Sequence, residues 1–256
     1  SSDLHPLRVV AIATHPIQYQ VPWFRALAAT DDLKLEVLYR SLPNATEQGK
    51  GFGIPLAWDI PLLDGYPWQE IGKAGAIGAM LCLRRHLTGQ RPDAVLLTGW
   101  HSGFLVAAAL LCRLLGVPTI VRGESNALRQ RPIPIRLAHR ALLACYDAFL
   151  AIGKSNRHFY DGYGVAPSRL FDCRYFVDND RFSAQRETLQ LERPEIRAHW
   201  NIPAGSTCFL FAGKLEEKKR ITDLLAALER ALQSGARMHR SEEHTSELQS
   251  RLHLVC

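Results

Sequence analysis

The sequence predicts a doubly wound parallel α/β fold, and three observations predict it. Short runs rich in Val, Ile, Leu and Phe recur along the chain. Segments with helical apolar spacing lie between them, and the unusual polar clusters fall where the apolar runs end. Runs that are hydrophobic almost throughout suit strands buried on both faces. Their alternation with helices builds right-handed βαβ units.

The first apolar run, 8–14, is RVVAIAT, and the helical pattern at 21–29 follows. A second strand is expected at 33–39. The stretch 43–73 then breaks the rhythm with Gly, Pro and the aromatics Trp58, Tyr66 and Trp68. It reads as an irregular excursion over one end of the sheet, with a short strand at 56–60. Regular alternation resumes with a helix at 77–87, a strand at 93–98 and an Ala/Leu-rich helix at 103–115. Strands at 118–122 and 148–152 enclose a helix at 135–146, and 155–163 has helical spacing again. From 178 to 193 polar and charged residues replace apolar periodicity, which reads as a linker into a second unit beginning at Glu195. That unit opens with a strand at 207–212 and a helix at 221–232. The domain expectation is residues 1–182, then 183–239 as linker and start of a second domain, then a tail at 240–256.

The tail differs in kind. Residues 240–250 read RSEEHTSELQS, polar throughout, and this resembles the forward translation of a widely used short-read sequencing adapter. The alternative is a native solvated helix, since SEEH resembles a helix start. The adapter match is the more specific reading, which would end the protein near Met238 or His239.

Composition narrows the function classes. The 256 residues carry 31 Lys+Arg against 25 Asp+Glu and are 47% hydrophobic, which excludes disorder and collagen-like repeats. The longest apolar run, 104–112, is far short of the ~20 residues that span a bilayer. No basic-then-apolar leader opens the chain, and a first residue of Ser1 suggests a trimmed start. The six cysteines are widely spaced with no C-x-x-C, so they read as buried thiols of a reducing, cytoplasmic compartment rather than a zinc site. A net charge of +6 suits an anionic substrate or contact with an anionic membrane at its inner face. It is not the basic stripe of a nucleic-acid binder.

In open α/β sheets, ligands bind outside the carboxyl ends of the strands. Nearly every polar cluster falls there: 14–20 (THPIQYQ), 99–103 (GWHSG), 122–126 (RGESN), 153–156 (GKSN) and 213–216 (GKLE). His101 lies between a strand and a helix that Ser102 can cap, so its imidazole is a candidate for the cleft. The plainer alternative is a histidine bonded to a neighbouring loop. His15 precedes Pro16, whose rigid turn could use the ring for packing alone. Residues 123–127 fit a loose G-x-S-x-A elbow and raise a serine hydrolase, but Pro132 and Pro134 delay the helix that an elbow needs. GKGFG at 49–53 lacks the ending of a phosphate loop. The basic residues of 129–140 alternate with Leu128, Ile133, Ile135 and Leu137, a pattern of a solvated helix face or of a surface for anionic lipid. Lys214, Lys218 and Lys219, beside a strand end and a helix start, suit a diphosphate by charge and by backbone N–H donors; the alternative is an ordinary charged turn.

Together these motifs resemble family 4 glycosyltransferases of the GT-B fold, whose domains are Rossmann-like. FAGKLxxKK at 211–219 is similar to the family's G-[RK]-L-x-x-x-K-G, matching at Gly213, Leu215 and Lys219 with Lys214 in the usual Arg place and Arg220 where Gly is common. GV … VDNDRF at 164–182 resembles the interdomain passage without its Asn-Gly. WHSG at 100–103 and GVP at 116–118 resemble the acceptor-domain histidine segment. HPIQYQ at 15–20 and LLDGY at 62–66 are similar to a bacterial subgroup. The resemblance implies sugar transfer from a nucleotide diphosphate sugar to an acceptor hydroxyl with retention, without a metal and without a carboxylate nucleophile. It implies an acceptor that is a glycan or lipid-linked, in cell-surface glycan or glycolipid synthesis.

On that resemblance Gly213, Lys214 and Lys219 hold the donor diphosphate, whose developing charge needs fixed cations and N–H donors. His101 is the catalytic candidate near the donor sugar. His15, Gln18, Glu124 and Asn126 are placed, by position, in the acceptor or sugar cleft. The family's downstream pair of glutamates has no counterpart, so the expectation is a Rossmann-like domain plus an incomplete second one, inactive alone. A non-catalytic glycan- or lipid-binding module is the second reading.

Overall fold

In a computed structural model of the protein, the structure describes residues 5–49, 55, 57–58, 60–203, 205–208 and 217–235. The chain divides into two compact units, one made of Ser1–Pro43 and Trp58–Val177, the other of Asn44–Ala57 and Asp178–Cys256.

The first unit is a seven-stranded, wholly parallel sheet. Its strands are β1 (Leu7–Ala13), β2 (Leu33–Tyr39), β3 (Trp68–Glu70), β4 (Ala94–Leu97), β5 (Thr119–Val121), β6 (Ala148–Ala151) and β7 (Leu170–Asp172). Their order across the sheet is β3-β2-β1-β4-β5-β6-β7. The crossovers are α1 (Val21–Ala28), α3 (Gly75–Gln90), α4 (Gly103–Leu115), α5 (Ile133–Leu143) and α6 (Lys154–Gly162). The order reverses between β1 and β4, whose register pairs Ile12 with Leu97. That is the topological switch point, where loops leave towards opposite faces and a crevice opens.

The continuous apolar runs follow from burial on both faces. In β1, Val10 and Ile12 join one core cluster with Leu38, Leu83, Val95, Leu97 and Phe149. Val9, Ala11 and Ala13 join the other, with Val21, Phe24, Val37 and Tyr66. The excursion after β2 is anchored rather than loose. Tyr39 and Tyr66 share a buried hydroxyl–hydroxyl bond of 2.7 Å, and Tyr66 donates to the Leu62 carbonyl. Arg25 of α1 donates to the carbonyls of Asp64, at 2.9 Å, and Pro61.

Two strands differ from the sequence reading. The expected strand at 56–60 is not made by its described residues, 57, 58 and 60; the edge strand is β3, three residues pairing beside β2. β7, also three residues, was not expected at all. Both are too short to show periodicity, and pairing with a neighbour, not patterning, makes them strands.

In the second unit, the stretch read as a linker is one helix, α7 (Asn179–His199), capped by the Asp178 carboxylate accepting from the Arg181 N–H at 3.0 Å. It buries no residue, so the apolar stripe used to find helices is absent; a cap and good helix formers (Arg, Gln, Glu, Leu) carry it instead. A short helix α2 (Ala45–Gln48), with Asn44 and Glu47 closing a capping box, and α8 (Ile221–Gln233) complete the described elements, with a 3-10 turn at Glu217–Lys219. Most of the expected strand at 207–212, and the tail at 240–256, lie outside the described residues.

Candidate functional site

The carboxyl edge of the sheet gathers the polar loops that follow β1, β4, β5 and β6, as the sequence indicates. After β1 the chain turns at 17–20, where the Ile17 carbonyl accepts from the N–H groups of Gln20 and Val21, and α1 begins. His15 lies on this loop, its Nδ1 3.1 Å from the Thr14 hydroxyl. After β4, Thr98 bonds back to the Ile12 carbonyl at 3.2 Å, and Gly99 takes φ +128°, a conformation that side chains resist. The His101 ring folds back over it: a methyl group at Gly99 would come within 3.3 Å of Nδ1. Ser102 caps α4, accepting from the Leu105 N–H at 3.3 Å, as its place before the helix predicts.

His15 and His101 therefore leave neighbouring strands at the switch point and interact there. Burial lowers the His15 pKa from its ordinary value, and the charge of His101 lowers it further. His15 is consequently a neutral imidazole at pH 7, able both to donate and to accept a hydrogen bond. Paired with the exposed ring of His101, it suits a ligand dense in hydroxyl groups.

The loop after β5 supplies the next part. Gly123 lies against the Trp100 ring so closely that a β-carbon there would come within 2.1 Å of Cζ3. Trp100 is itself held among Tyr146, Phe159 and Tyr160. Asn156 of α6, 3% exposed, accepts from the Ile152 N–H at 3.0 Å and donates to the carbonyls of Gly123, at 3.0 Å, and Ser125. One buried amide thus ties the loops after β5 and β6. Glu124 follows, exposed, on this fixed backbone.

Beneath Glu124 is a group the sequence reading left unassigned. Arg122 is 4% exposed, with its guanidinium carbon 5.1 Å from the Trp23 ring and 4.9 Å from the Tyr175 ring. Tyr175 packs edge-on against Tyr19, with ring centres 5.8 Å apart, and hydrogen-bonds Glu124. Burial first, then the Glu124 charge and this bond, push the Tyr175 pKa up to about 12. The phenol is therefore protonated and donates to the carboxylate. Tyr19 is raised by burial and by Glu124 in the same way.

Of the predicted cleft residues, His15, His101 and Glu124 stand at this edge. Gln18 is exposed on the same loop as His15. Asn126 is turned to local duty: its side chain accepts from the Leu128 N–H at 3.1 Å and its carbonyl from Arg131. Gly213 and Lys214 lie outside the described residues, and Lys219 is exposed in the second unit's 3-10 turn. Arg122, Trp23, Tyr175 and Asn156 were missed as site-builders. A charged residue ending a buried strand was a usable signal for Arg122, whereas Tyr175 has no local one. The serine elbow is not formed, since α5 begins only at Ile133. Among the described residues no three His, Cys, Asp or Glu side chains are grouped as a metal ion would need.

Residues 8–171 match the glycosyl transferase 4-like domain. No curated protein matches the chain. Among solved structures it is similar to a glycosyltransferase from Rickettsia africae, with TM-score 0.55 and 9% identity over 88% of this chain and 57% of that one. It is similar to HepE from Anabaena, solved with UDP and glucose, with TM-score 0.54 and 10% identity over 88% and 58%. A UDP-N-acetylglucosamine 2-epimerase from Rickettsia bellii gives TM-score 0.49 and 14% identity over 90% and 60%. The chain thus spans less than two thirds of the length of each of these proteins.

Proposed function

The chain belongs to the glycosyl transferase 4-like domain family, and from that premise we propose that it serves transfer of a sugar from a nucleotide diphosphate sugar to an acceptor hydroxyl. The observation that carries the reading is the placement of His15 and His101 on the loops after the adjacent strands β1 and β4 at the switch point, beside a Glu124 oriented by Tyr175. Neutral imidazole and carboxylate oxygen are the groups that bind sugar hydroxyls at neutral pH. In transfer, the bond from the anomeric carbon to the diphosphate oxygen breaks and one to the acceptor oxygen forms. The acceptor proton must leave, and charge develops on the diphosphate.

His101 and His15 are assigned to the sugar and acceptor hydroxyls, with Gln18 and Glu124 as further acceptor contacts. Gly213, Lys214 and Lys219 are assigned to the diphosphate, where lysine offers a compact cation. The proposal extends to retention of anomeric configuration and to a glycan or lipid-linked acceptor in bacterial cell-surface synthesis, with the protein in the cytoplasm and peripheral at the membrane. It needs no metal ion.

Thermal melting of the chain with UDP-, GDP- and ADP-sugars tests the donor assignment. The Anabaena protein was solved with UDP and glucose, so UDP-sugars head the panel. The expected result is a rise in Tm with at least one donor, lost in a Lys214→Ala/Lys219→Ala variant. No shift with any of them, or a shift that the double variant keeps, overturns it and favours a glycan- or lipid-binding module without catalysis.

A further inference from the structure

We propose that the surface made by Leu128 and the outward face of α5 seats on the headgroups of an anionic lipid bilayer. The inference rests on the glycosyltransferase reading only for its purpose, delivery of a membrane-held acceptor; the surface is argued from its own chemistry.

α5 is turned the wrong way for an ordinary surface helix. Ile133, Arg136, Leu137 and Arg140 follow the i, i+3, i+4, i+7 spacing of one helical face, and all four are exposed, Ile133 at 70% and Leu137 at 62%. Large aliphatic residues at that spacing normally face a core. Here the inward face is taken by Leu142 and Leu143 and by His139, which packs on Phe159 and Tyr163. The outward aliphatics Ile133 and Leu137 belong to neither core cluster.

The loop before α5 presents a further apolar side chain, Leu128, 84% exposed, and it does so by construction. The Leu128 N–H donates to Asn126 Oδ1 and the Ala127 N–H to the Ser155 carbonyl. Arg131 donates to the carbonyls of Asn126 and Arg129, and its guanidinium lies 5.0 Å from the Phe159 ring centre. With the backbone pinned on both sides, Leu128 is held out rather than folded in.

Charge selects the occupant. From Ser125 to Tyr146 the chain carries arginines at 129, 131, 136 and 140 and no Asp or Glu. Two copies meeting through this face would set arginine against arginine, which disfavours self-association. Exposed aliphatics among arginines, with no acidic residue, fit an anionic interface: the aliphatics enter the headgroup region and the guanidinium groups meet phosphate. The placement suits this use. A crossover helix starts at the carboxyl edge of the sheet, so Leu128 and Ile133 share an edge with Glu124. Among the described residues no helix is long and apolar enough to cross a membrane, so contact would be at the surface.

Flotation of the 256-residue chain with phosphatidylcholine vesicles, with and without phosphatidylglycerol, tests the proposal. The expected result is binding that requires phosphatidylglycerol and weakens in high salt. Arg136→Gln/Arg140→Gln should lower the partition coefficient about five-fold for each arginine removed. Leu128→Ser/Ile133→Ser should lower it too, while Arg136→Lys/Arg140→Lys keeps it. These side chains are exposed, so an unchanged Tm certifies the fold of each variant. Arg84→Gln/Arg85→Gln on α3 is the charge-matched control and should bind as the parent does. Absence of binding to phosphatidylglycerol vesicles, equal binding to neutral ones, or an equal loss in the α3 control overturns the proposal. Flotation needs no nucleotide sugar and the melting test needs no vesicle, so either reading can fail alone.

Discussion

Arg122 lies with its guanidinium carbon 4.9 Å from the centre of the Tyr175 ring, and Tyr175 in turn holds Glu124. A buried cation is costly unless something compensates it, and here aromatic faces from α1 and from the segment after β7 do so. The arrangement joins three segments distant in sequence into one wall of the site.

Replacing Arg122 should therefore cost more than a surface arginine. Arg122→Met is expected to lower stability by about 2 kcal/mol, through lost cation–π and stem packing. Arg122→Lys should recover little, since an ammonium cannot stack flat between two rings. Urea unfolding midpoints measure both, and a Lys variant as stable as the parent would contradict the account.

The pH dependence follows from His15 and His139, whose folded pKa values both lie below the ordinary 6.5. Burial lowers each first, with His101 acting further on His15 and Arg131 on His139. The unfolded chain then binds protons more readily than the folded one, so stability is complete above pH 6.5 and falls as pH drops below it. Melting curves should show that decline. Two-dimensional NMR of the histidine rings should find His15 titrating at a higher pH in His101→Ala than in the parent.

Gly123→Ala tests the stacking of Trp100. The added methyl meets Cζ3 at 2.1 Å, and the ring cannot retreat past Phe159, Tyr146 and Tyr160. Overpacking of this kind costs about 1–3 kcal/mol, which lowers Tm by several degrees in calorimetry. No change would show that Trp100 is free to move.

Asn156→Ala should leave the Ile152 N–H and the Ser125 carbonyl without their side-chain partner and the Gly123 carbonyl with only the Tyr160 hydroxyl, at 3.4 Å. A loss of about 1–3 kcal/mol is expected. Faster amide exchange across 123–127 should accompany it, with exchange in β1 unchanged. A purely global effect would instead raise exchange everywhere.

The sequence alone determined the α/β class, β1, β2, β4, β5 and β6, and the edge where the polar loops gather, because a strand buried on both faces must be apolar throughout and its polar loops then mark its ends. It also singled out His15, His101 and Glu124 by their places after β1, β4 and β5. Tertiary structure alone decided β3 and β7, which exist through pairing with β2 and β6, and α7, which a cap and propensity support without an apolar stripe. It alone brought Arg122, Trp23 and Tyr175 together and assigned Asn126 to a turn and Asn156 to the joining of two loops. The physical reason is the same in each case: periodicity records how much of a side chain is buried, while only the packed chain fixes which distant group it meets.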